Sequence, residues 1–177
     1  MTKNRLEAFS DGVIAIIITI MVLEMHAPQG ASLNDLMHVL PVFLSYVLSF
    51  VMVAIYWNNH HHMLHAAPHV NGRVLWANHH LLFWLSLVPF TTRWMGQNAL
   101  APLPVALYGV VLFMAGLAYY ILAHTLVGLH GKNSQIGTAL GKDCKGVISQ
   151  LMYGAAVPLS FVNVWIAIAF YVAVALM

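Results

Sequence analysis

The chain has 177 residues, of which 61% are hydrophobic and 7% are charged, with a formal net charge of +2. An average soluble domain carries roughly 25% charged residues, so there is too little polar surface here to clothe a soluble core, and the outer surface must face lipid. The small, scattered positive charge excludes a nucleic-acid surface, and a single cysteine, Cys144, excludes an internal disulfide or a CxxC metal or redox motif.

The first apolar run predicts a spanning helix over residues 6–25. It opens on Arg5, Leu6, Glu7, Ala8, Phe9, Ser10, Asp11 and Gly12. Ionisable groups within a membrane are costly and mark function by default. An unpartnered buried Asp11 would cost several kcal/mol or take up a proton, so it should accept hydrogen bonds from an Arg, His, Asn or Trp at its own depth. Structural glue between helices is the first reading of this group, and a direct transport role the second. Glu7 and Asp11 also argue against a secretory leader, whose charged region is basic. Further along, at about 100° per residue, Ile16, Thr19, Ile20 and Leu23 share a face about 100° wide, with Asp11 about 140° away. From the wheel alone, such a face reads as helix packing or lipid contact.

The second predicted span, residues 36–57, ends in Trp57 and continues into Asn58, Asn59, His60, His61 and His62. The third, residues 74–95, begins beside Arg73 with Trp76, Asn78, His79 and His80. Alternating topology brings both groups to the depth of Arg5 to Asp11. His61 and His65 stand at i, i+4, a ligand spacing for zinc or haem; Pro68 argues against helix continuing to His69. No Asp or Glu lies between Asp35 and Asp143, so carboxylate support for such ligands falls to Asp11 or Glu7. Ordinary headgroup-level residues, a pH-responsive cluster and a metal or haem site all remain open readings of the histidines, in that order. No GxSxG, HExxH, P-loop or GxGxxG motif occurs.

The fourth span covers residues 103–129, and an apolar tail runs from 147 to 177. As one helix the tail would measure about 46 Å against a hydrocarbon core of about 30 Å, so the Pro158 to Asn163 break should fold it into spans 147–157 and 164–177. The expectation is an all-α, six-span, single-domain membrane protein over residues 1–177, with one long tilted helix as the competing form of its tail. Lys3, Arg5, Arg73, Lys132, Lys142 and Lys145 fall on one side and Arg93 on the other, which places both termini in the cytoplasm. The chain stops at Met177 without a polar flank, which raises the expectation of truncation there. No internal repeat is evident.

The pattern Arg5-x-x-x-Phe9-Ser10-Asp11 resembles the signature of the potassium channel family typified by the endolysosomal channel transmembrane protein 175 and its prokaryotic homologues. Ser49-Phe50 with Tyr56-Trp57-x-x-His60, and Leu75-Trp76-x-Asn78 with Pro89-Phe90-Thr91, are similar to that family's later segments. The resemblance covers the first half with motifs and the second with topology only. It implies a prokaryotic, homotetrameric, K⁺-permeable cation channel of the inner cell membrane, surrounded by lipid, with no enzymatic activity and no metal or cofactor beyond the transported K⁺.

The resemblance also implies that helix 1 of four subunits lines the pore through Ile16, Thr19, Ile20 and Leu23, the residues of the face described above. No TVGYG-like filter is present, so apolar side-chain rings would form the constriction, favouring K⁺ because it sheds water more cheaply than Na⁺. Thr19 hydroxyls would coordinate ions. Arg5, Phe9, Ser10 and Asp11, with Trp57, His60, Asn78 and His79, would form a structural network holding the lining helix. A histidine-ligated haem or metal oxidoreductase and a secondary transporter are the alternatives, although discontinuous spans and inverted repeats, expected of the latter, are not clear.

Overall fold

The computed structural model describes residues 2–131, 133–140 and 144–177, and among these every regular element is a helix. In chain order they are α1 (Lys3–Leu23), α2 (Leu33–His38), α3 (Leu40–His65), α4 (Gly72–Ser86), α5 (Val88–Gln97), α6 (Pro102–His130), α7 (Gln135–Leu140), α8 (Cys144–Leu159) and α9 (Val164–Leu176). By length and apolarity α1, α3 and α6 are each able to cross a membrane, and α9 is a shorter apolar helix. Lys132 and Lys142, used above to orient the chain, lie outside the described residues.

The apolar helix α6 sits at the centre, packed by α4, α5, α8 and α9. Small residues let its neighbours approach, as expected where lipid supplies no driving force between helices. Ala115, Ala118 and Ala123 are fully buried on it, and a methyl group at Gly109 would lie 2.1 Å from the Tyr171 hydroxyl. Buried tyrosines fasten the helices through their hydroxyls. Tyr56 donates to the Leu112 carbonyl at 3.2 Å and Tyr171 to the Val105 carbonyl at 3.1 Å, both on α6.

The third expected span is two helices rather than one straight one. It breaks at Leu87, whose N–H reaches back only three residues to the Trp84 carbonyl at 3.2 Å. Pro89 has no N–H to offer the Leu85 carbonyl, and its ring crowds the preceding turn. Thr92 and Thr91 hydroxyls also bond the Val88 carbonyl beside the kink, at 2.8 and 3.1 Å. The second span also runs eight residues further than expected, to His65 rather than Trp57, because no breaker occurs before Pro68. The tail folds as α8 and α9, which pack on each other; Asn163 caps α9 by accepting from the Trp165 N–H at 2.9 Å. A short helix not expected from the sequence, α2, is started by a capping box in which Ser32 and Asp35 satisfy each other's backbone N–H groups.

α1 lies at the edge, packed on α3, α4 and α5. One face, carrying Leu6, Ser10, Ile14, Ile17 and Met21, is buried against them.

Candidate functional site: helix α1 and its polar anchor

The first turn of α1 is tied to the last turn of α3. The Lys3 ammonium donates to the His65 carbonyl at 3.0 Å and lies 3.7 Å from Glu7; a cation at a helix C-terminus satisfies orphan carbonyls and complements the dipole. Two turns on, a buried hydrogen-bonded chain crosses three helices. His60 Nε2 on α3 lies 2.7 Å from the Asn78 Oδ1 on α4, Asn78 Nδ2 donates to Ser10 Oγ at 2.9 Å, and Ser10 Oγ donates to the Leu6 carbonyl at 2.8 Å. An amide oxygen only accepts, so His60 Nε2 carries the proton. Every link then runs in one direction, and none of the three side chains is more than 1% exposed. A fully satisfied network of this kind specifies one packing of its helices.

The neighbouring residues make separate contacts. Asp11 is half-buried and accepts from Trp57 Nε1 at 2.9 Å, and that indole stacks on His61 with centroids 5.6 Å apart. Phe9 is exposed and meets His79 at 5.6 Å, while His79 Nδ1 donates to its own helix at the Leu75 carbonyl, 2.7 Å away. Arg5 is exposed and pairs with none of the described residues. The expected network is therefore three contacts: Ser10 with Asn78 and His60, Asp11 with Trp57, and Phe9 with His79.

On the opposite side of α1, Ile16 is 58% exposed, Ile20 40% and Leu23 76%, and Thr19 is exposed with them. The Thr19 hydroxyl donates to the Ile16 carbonyl at 2.9 Å, which spends its proton and leaves oxygen lone pairs directed away from the backbone. Along one flank runs an apolar groove of about 430 Å³, between Ile16 and Ile20 of α1 and Pro89 and Phe90 of α5. Its far end is closed by an ion pair between Glu24, just past α1, and Arg93 of α5.

Two contacts were not legible in the sequence. The Glu24–Arg93 pair joins groups far apart in the chain; the only hint is that Arg93 is the lone cation expected on the side of the Glu24 loop. The second is a buried hydroxyl cluster in which Thr92 Oγ1 lies 2.7 Å from Ser49 Oγ and Ser49 Oγ lies 3.1 Å from the Tyr108 hydroxyl, joining α5, α3 and α6. Ser49 stands in the Ser49-Phe50 motif, but neither partner carries a signal of its own. Among the described residues, no three His, Cys, Asp or Glu side chains come together in a way that could hold a metal ion.

The sequence profile of the family described as endosomal/lysosomal potassium channel TMEM175 matches residues 5–89, the stretch that contains the whole Ser10–Asn78–His60 chain. A potassium channel of Chryseobacterium sp. (strain P1-3) is 52% identical over 176 residues, covering 99% of this chain and 92% of that protein. A potassium channel of Streptomyces collinus is 30% identical over 128 residues, covering 68% of this chain and 62% of that one. The crystal structure of a lysosomal potassium-selective channel TMEM175 homolog from Chamaesiphon minutus superposes with a TM-score of 0.85 at 25% identity, covering 98% of this chain and 94% of that one. With its span-length apolar helices and a relative matched from end to end, the chain belongs to the TMEM175 potassium channel family, a family of membrane channels and not of enzymes.

Proposed function

We propose that this chain is a K⁺-permeable channel of the cell's inner membrane, assembled as a homotetramer of six-span subunits with cytoplasmic termini, in which α1 of each copy lines a central pore. The observation that carries the reading is the division of α1 into two faces. One face is packed and polar-anchored; the other presents Ile16, Ile20 and Leu23 uncovered along a span-length helix, with the Thr19 oxygen among them. Four such faces around an axis make rings of apolar side chains. A ring of that kind dewets when narrow and passes partly hydrated cations when slightly wider. K⁺ and similar monovalent cations pass more easily than Na⁺ because they give up water more cheaply, and the Thr19 ring supplies replacement oxygens.

The buried chain of Ser10, Asn78 and His60 touches no ion in this reading. It holds α1 in rotational register so that the lining face stays on the axis. The groove between α1 and α5 is the place for apolar contact with the adjacent subunit.

The test is cation flux into proteoliposomes for the native protein and for Ile20→Asn, comparing K⁺, Na⁺ and an impermeant organic cation. Flux selective for K⁺ in the native protein, with larger or less selective flux in the variant, is expected. Folded protein with no flux in either form would refute the channel, and unchanged flux and selectivity in the variant would remove Ile20 from the constriction.

A further inference from the structure

At the end of the bundle where α1 begins, a second histidine pair stands apart from the polar anchor. His130 is the last residue of α6, and its Nδ1 lies 2.9 Å from the Leu126 carbonyl one turn back. A carbonyl only accepts, so Nδ1 carries a proton and, in the neutral ring, Nε2 presents a lone pair. That Nε2 is buried and has no hydrogen-bond partner among the described residues. Leaving such an atom unpaired costs about 1–3 kcal/mol, which points to a ligand. Beside the ring of His130 is that of His69, with centroids 4.7 Å apart at an interplanar angle of 60°.

His69 lies on a short connection that is fixed at both ends. Ala67 before it is buried and donates to the Leu64 carbonyl at 3.0 Å, and Asn71 after it caps α4 by accepting from the Val74 N–H, also at 3.0 Å. The pair is thus held in place by its backbone surroundings. Two imidazoles bound to one tetrahedral ion at about 2.0–2.1 Å have ring centroids roughly 5 Å apart, close to the separation seen. A ligating imidazole typically donates its other ring N–H to a backbone carbonyl, as His130 does to Leu126, and this fixes the tautomer.

We propose that His69 and His130 form a two-imidazole site for a divalent transition-metal ion of the zinc type, with water completing the coordination. The bound ion ties the α3–α4 connection to the C-terminal end of α6. Imidazole ligands suit zinc, nickel and copper, whereas magnesium and calcium demand oxygen donors, so the site discriminates between these classes. It lies apart from the pore-lining face and does not depend on the channel reading.

The experiment is calorimetric titration of the untagged, detergent-solubilised protein with Zn²⁺, and with Mg²⁺ as the comparison. One Zn²⁺ per chain is expected, with Mg²⁺ giving no heat. His69→Ala, an exposed position whose loss should leave the fold intact, is expected to weaken Zn²⁺ binding by at least about tenfold, following the loss seen when metal-site partners are removed. His65→Ala, which removes a member of the separate His61–His65 stack, should leave it unchanged. Absence of Zn²⁺ binding by the native protein would overturn the proposal, as would undiminished binding by His69→Ala or equal binding of Mg²⁺.

Discussion

Replacing Ser10 by alanine tests the anchor of α1. The substitution removes the acceptor that Asn78 Nδ2 has among the described residues, at a site with 0% exposure. Hydrogen bonds between membrane helices average only about 0.6 kcal/mol in double-mutant cycles, because the separated helices find other partners. An orphaned buried donor costs more, about 1–3 kcal/mol, and this greater penalty should decide the outcome. Asn78→Leu leaves the His60 Nε2 proton without its acceptor and should cost about 2–4 kcal/mol on the same grounds. The double variant removes both partners of the Ser10–Asn78 bond, so its cost should fall short of the sum by about 0.5–2 kcal/mol. Reversible unfolding in mixed detergent micelles, followed by tryptophan fluorescence, measures all three. Ser10→Ala within about 0.5 kcal/mol of native, or additivity within that margin, would refute the argument that this chain of hydrogen bonds holds the helices together.

Thr19→Ala should lower the K⁺ over Na⁺ permeability ratio while leaving unfolding unchanged, since Thr19 is exposed and its hydroxyl serves only its own helix; an unaltered reversal potential in bilayer recordings counts against its role. Gly96→Ala would place a methyl group 2.8 Å from the Val42 Cα, where α3 backbone rather than a flexible side chain must yield. A loss of about 1–3 kcal/mol is expected in the same unfolding assay, and Gly12→Ala, with nothing within 4 Å, is its unaffected control. The Ser32 hydroxyl and N–H hold the Asp35 carboxyl below the usual carboxylate range. Its contribution to ordering α2 is therefore complete above the ordinary carboxylate pKa and is lost as pH falls through the depressed one; amide exchange at Ser32 should accelerate only in that acidic window, and Asp35→Asn should remove the pH dependence.

How much of this could be read from the chain varies with the range of the interaction. The break between α8 and α9 was visible because the apolar tail exceeds one membrane thickness and carries Pro158 and Asn163 where it must turn. The kink at Leu87 was missed although Pro89 is plain in the sequence, because apolarity continues unbroken across it and hydropathy does not register a lost N–H. Depth alone put Ser10, Asn78 and His60 in one layer, and the family resemblance singled them out together with Arg5, Phe9, Asp11, Trp57 and His79. Their pairing was not legible, because depth places His60, His61, His62, His79 and His80 in one layer without saying which ring faces Asn78 Oδ1. Arg5 illustrates the same limit, since a charge in a motif predicts a partner and the fold provides none among the described residues.

Two of the polar fastenings of α1 have a mechanical consequence. Ser10 and Asp11 pin the helix to α4 and α3 at one point, and Glu24 pins its far end to Arg93 of α5. Between them lies a stretch of about 21 Å that touches its neighbours only through apolar side chains such as Ile14, Ile17 and Met21. A beam clamped at both ends does not swing; it bows, and its deflection is greatest at midspan. Midspan here is Ile17, flanked by the exposed Ile16, Thr19 and Ile20, so a small slackening of the apolar contacts would displace these residues sideways while both fastenings stayed closed.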